Sequence, residues 1–105
     1  MTRKLATLPP LPATLPSVLG PVPVTRAVDL REKETGKSCL GIWRSEERDV
    51  RIEAGAVPVA AWQTYWHEWV HIALWDVGVQ MDDALEERVC DALATARVRE
   101  MLDAQ

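Results

Sequence analysis

Ala60-Ala61-Trp62-Gln63-Thr64-Tyr65-Trp66-His67-Glu68-Trp69-Val70-His71-Ile72-Ala73-Leu74-Trp75-Asp76-Val77 carries Trp62, Trp66, Trp69, Val70 and Ala73 at helical spacing, and it reads as one helix ended by Gly78. The tryptophans fall where a helix buries its apolar side, so they are core residues rather than a platform for substrate. Tyr65, the chain's single tyrosine, is turned away from His67 and His71 by its helical angle.

Within this helix His67 and His71 are the chain's only histidines. A spacing of four residues stacks both imidazoles on one face, close enough to share one zinc ion. Glu68 lies about 100° round the helix from His67 and so reaches a metal-bound water rather than the metal. The pentad predicts a Zn2+ site with Glu68 as its catalytic carboxylate.

Zinc in a catalytic site takes three protein ligands and keeps one position open. Val77 and Leu74 stand where a metzincin would need its third histidine and its glycine, which excludes that branch. The candidates lie further on, in a second helix that begins at Asp82 or Asp83 and runs almost to the carboxyl terminus. Leu85, Val89, Ala92, Leu93 and Ala96 form its expected apolar stripe. Glu86 and Glu87 are adjacent, so only one of them can face the metal. Asp83 and Glu86 have the spacing of a capping box, which occupies Glu86 locally. Glu87 has Asp91 one turn later on the same face, placed to accept the outer N–H of a zinc-bound histidine. Glu87 is therefore the favoured third ligand and Asp91 its supporting neighbour, with Glu86 and then Cys90 as alternatives.

Upstream of the helix the period changes. Residues 24–30 put Val24, Val28 and Leu30 on one face with Arg26 as the exception; Leu40 and Ile42 alternate with Gly41 and Trp43; Val50 and Ile52 alternate with Arg51 and Glu53. With Ser45-Glu46-Glu47 between them, the last two segments read as an antiparallel hairpin. Strands first and helices after predict an α+β fold, in which a small antiparallel sheet of about three strands is followed by two packed helices. Substrate would lie along a strand edge, supplied by residues 48–54 or 38–44.

Six of the seven prolines fall between Pro9 and Pro23, which makes residues 1–23 an extended arm and leaves residues 24–105 as the domain proper. Met1-Thr2-Arg3-Lys4 opens like an export signal, but Pro9, Pro10 and Pro12 break the apolar stretch that follows. No apolar run is long enough to span a bilayer. With 105 residues the chain has the length of one domain, and its net charge of -4 disfavours a phosphate-binding surface, so nucleic acid is not an expected partner. Cys39 and Cys90 are too few for a secreted disulfide framework, and a cytoplasmic protein is expected.

The pentad, together with Glu87-Arg88-Val89-Cys90-Asp91-Ala92-Leu93-Ala94, resembles the minimal gluzincins of the ImmA/IrrE type found in phages and mobile elements; SprT-like and other phage zincins share part of the pattern. Those proteins carry H-E-x-x-H and then E-x-x-A-[DN]-x-F-A, so residues 38–97 are covered. The resemblance implies a zinc metallopeptidase acting on a protein or peptide substrate, with His67, His71 and Glu87 as ligands, Glu68 as base and Asp91 orienting a ligand. Val70, Cys90 and Leu93 depart from the pattern, standing for its Gly, Ala and Phe. The rival expectation is a zinc-stabilised module that binds a regulator without turnover.

Overall fold

The computed structural model describes residues 8–105, so the Met1-Thr2-Arg3-Lys4 start lies outside the described residues. The chain is α+β: β1 (Thr14–Leu15), β2 (Val22–Ala27), β3 (Gly41–Arg44) and β4 (Asp49–Glu53) precede α1 (Pro58–Asp76) and α2 (Asp83–Asp103). The four strands form one sheet in the order β1-β2-β4-β3.

The sheet is mixed rather than antiparallel. β3 and β4 form the expected hairpin, with Trp43 opposite Val50, but β2 runs parallel to β4, with Val24 opposite Val50 and Arg26 opposite Ile52. Alternation of side chains is the same for either direction of pairing, so the pattern identifies strands without orienting them. Residues 28–40 carry the chain past β4 to the outer edge, which leaves β4 inside the sheet. Its Val50 and Ile52 are fully buried, each worth about 1.5–3 kcal/mol of burial.

β2 ends sooner than its apolar pattern suggests. Asp29 adopts φ 55 and turns the chain, leaving Val28 85% exposed while Leu30 returns to the interior. Arg26, which breaks the alternation, caps the carbonyls of Glu53 and Ala54.

The proline-rich segment is extended and lies along the sheet and α1. Thr14 and Leu15 pair with Pro23 and Val22, so β2 crosses the boundary drawn at Pro23, and Leu15 and Val22 are core residues. Trp62 Nε1 donates to Pro9 O at 2.7 Å and the Tyr65 hydroxyl to Thr14 O at 3.0 Å. Tyr65→Phe removes only the second of these bonds, and its expected cost is about 1 kcal/mol, read as a lowered urea midpoint with an unchanged slope.

α1 begins with Pro58 at its first turn, where a missing N–H is harmless, and Gly78 (φ 72) ends it. Trp62 is buried, while Trp66 and Trp69 pack partly buried against the core. α2 packs on α1, but through a different face from the expected stripe. Cys90, Ala94 and Val98 are buried, whereas Leu85 and Leu93 are each 48% exposed. Small residues at i, i+4 and i+8 let the two helices approach closely, and that closeness outweighs the greater apolar area of the leucines. No described helix is long and apolar enough to cross a membrane.

Candidate metal centre

α1 and α2 bring the acidic and imidazole groups of both helices to one end of a cleft of about 640 Å³, whose facing wall is Leu40, Gly41, Ile42 and Trp43 of the β3 region. His67, His71, Glu68, Glu87 and Asp91 all line it, together with Glu32, Cys39, Gln63 and Thr64.

The two imidazoles meet through their inner nitrogens: His67 Nε2 and His71 Nε2 are 3.1 Å apart. Glu87 spans both, with Oε2 at 3.1 Å from His67 Nε2 and Oε1 at 2.8 Å from His71 Nε2. The outer nitrogens are held by acids. Asp91 Oδ1 lies 2.8 Å from His67 Nδ1, and Glu86 Oε2 lies 2.6 Å from His71 Nδ1.

Glu87 and Asp91 thus stand where their helical spacing places them. Glu86 does not. Asp82 is the N-cap residue of α2 and makes no side-chain capping bond, so the capping box of Asp83 and Glu86 is absent. Glu86 orients the second histidine instead. The signal was present in the sequence: two histidines a turn apart need two outer partners, and Glu86 is the acid adjacent to Glu87.

Cys90 is fully buried beneath this cluster. One ligand atom from each of His67, His71 and Cys90 lies within 4.8 Å of the others, so this trio can hold a metal ion. Burial pushes the Cys90 thiol up to about 12, and Glu87, Glu86, Glu68 and Asp91 add to the effect.

Glu68 is only 7% exposed. Burial raises its carboxyl above the ordinary carboxylate value, against the pull of His71 and His67. For His71 burial acts downward, but Glu68, Glu86 and Glu87 outweigh it and hold the imidazole above its usual range. Tyr65 points its hydroxyl to Thr14 and is absent from the cleft lining, as its helical angle implies.

Gly41 explains how β3 comes so near. A Cβ built there would lie 2.3 Å from Thr64 Cγ2 and 3.4 Å from Glu68 Oε1. Thr64 is itself fixed, since its hydroxyl donates to Ala60 O at 2.8 Å. β4 is flanked by β2 and β3, so of the two segments considered for a substrate edge only the one containing β3 is at the sheet's margin.

Comparison with protein families, with curated proteins and with solved structures finds no match for this chain.

Proposed function

We propose that the cleft is the active site of a zinc-dependent metallopeptidase, with His67, His71 and Glu87 holding the ion and Glu68 as the base. One observation carries the reading: two Nε2 atoms and a bridging carboxylate converge at about 3 Å separations. In the tautomer that donates each Nδ1–H outward to an acid, each Nε2 presents a lone pair inward beside the Glu87 oxygens. A cation at their centre satisfies all of them. Imidazole nitrogens bound to one tetrahedral zinc stand roughly 3.3 Å apart, from bond lengths near 2.0–2.1 Å, so the pair needs almost no rearrangement.

A bound zinc supplies a Lewis acid that makes water acidic enough to ionise near neutrality. Glu68, held in a poorly solvated wall of the cleft, takes the proton from the attacking water and returns it to the leaving amine. Asp91 and Glu86 fix the orientation and tautomer of the two histidines. A peptide lies along β3, whose outer side no described strand covers, and its backbone pairs there. Among the described residues, four carboxylates and no arginine or lysine line the cleft, which disfavours a nucleic acid. The two free thiols suit a cytoplasmic setting.

Zinc-replete protein is expected to carry one equivalent of the metal and to hydrolyse peptide. Chelation should abolish hydrolysis, and readdition of zinc should restore it. Protein that stays metal-free after replete purification sinks the proposal.

A second reading has its own support. Among the described residues no arginine, lysine or tyrosine lines the cleft to stabilise an oxyanion. On that reading zinc staples α1 to α2 in a module that binds a regulatory protein, and zinc binding without hydrolysis of any peptide is its signature.

A further inference from the structure

We infer, on the metal reading above, that Cys90 is a fourth donor to the same ion, so that the resting site is closed by two residue pairs, one from each helix. His67 and His71 are one turn apart on α1. Glu87 and Cys90 are three residues apart on α2, which places them on a common face turned toward the histidines. The Cys90 ligand atom is within 4.8 Å of those of both His67 and His71.

A buried free cysteine can serve as a small apolar packing residue, but its position relative to the histidines gives this one a second use. Ala94, one turn on along the same face, is equally buried without any polar atom, so the helix contact is met by a methyl group. Nor is a disulfide available, because Cys39 and Cys90 are both free. What distinguishes position 90 is its place under two metal-binding imidazoles.

The two α2 donors are unequal. Cys90 is fully buried, whereas the Glu87 side chain is 57% exposed and reaches in from the helix surface. On binding, the Cys90 S–H bond breaks, its proton passes to solvent and a sulfur–metal bond forms. Were zinc bound, Cys90 would hold it from the buried side as a thiolate, and the more exposed Glu87 would be the donor better placed to make room for water. A sulfur donor also biases the site toward zinc and cobalt and against magnesium and calcium.

Cobalt(II) loaded into the full chain reads this directly. Wild type is expected to show a sulfur-to-cobalt charge-transfer band in the near ultraviolet. Cys90→Ala should lose that band while keeping the visible cobalt bands, with zinc affinity reduced by roughly 10–100-fold, a loss that even outer-shell partners produce. Glu87→Gln and Cys39→Ser should keep it. Should Cys90→Ala not fold, Cys90→Ser and the wild-type spectrum carry the same test, because an alcohol gives no such band. Cobalt bound without the band, or a band surviving in the Cys90 variants, overturns the inference and leaves the metal reading intact. Failure of wild type to bind either cobalt or zinc removes both.

Discussion

Glu68→Gln is expected to leave the fold and the zinc content unchanged and to lower peptide hydrolysis by about 10²–10⁴-fold, the range for loss of a positioned acid–base group. The change is nearly isosteric. Glu68 is 7% exposed, and a neutral amide is cheaper to bury than a carboxylate. Stability should therefore hold or rise. His67 and His71 keep their outer partners Asp91 and Glu86, so the metal has no reason to leave. Zinc analysis, a thermal melt and a peptide assay on the same sample separate the possibilities. Undiminished hydrolysis would exclude Glu68 as the base; lost zinc would mean that the residue supports the site rather than the proton transfer; zinc-loaded wild type that cleaves no peptide would favour the binding-module reading.

Gly41→Ala is the largest effect expected on stability. The added methyl group meets Thr64 Cγ2 at 2.3 Å, a separation no packed pair tolerates, and Thr64 cannot swing aside without surrendering its bond to Ala60 O. Either β3 moves outward from α1 or the helix shifts, at a cost of about 1–3 kcal/mol, as for other overpacked sites. Thr64→Ser deletes the offending methyl and keeps the hydroxyl, so the Gly41→Ala/Thr64→Ser pair should regain most of the lost stability. A double variant as unstable as Gly41→Ala alone would show that the clash lies elsewhere. The measurement is a denaturant midpoint for all four proteins of the cycle.

Much of this was legible from residues alone, for stated reasons. The helix containing His67 and His71 announces itself through tryptophans at helical spacing, and its geometry dictates that the imidazoles share a face. The placement of Glu87 and Asp91 on one face of the second helix followed from the same periodicity. Glu86 was misjudged because a local capping motif and a long-range bond to His71 draw on the same carboxylate, and spacing cannot say which wins. The buried face of α2 was misjudged because bulky Leu85 and Leu93 dominate any apolar pattern, whereas close helix contact selects Cys90, Ala94 and Val98. Parallel pairing of β2 with β4 left no trace in alternation. β1, only two residues long, is too short to have a period at all, and it becomes visible only through the partners of Thr14 and Leu15. Gly41 was read as one member of an alternating strand; its need to be glycine is a property of Thr64, far away in the chain.

β1 also has a consequence for how this protein behaves in a concentrated solution. A sheet with two open margins can polymerise, each margin templating the next molecule. Here one margin is a two-residue strand set between Pro12 and Pro16, and proline offers no N–H to an incoming neighbour. Growth through that side is blocked, so strand addition is confined to β3. On the metallopeptidase reading, the margin proposed to receive a peptide is then also the margin open to stray pairing between copies, and a bound peptide would cover it.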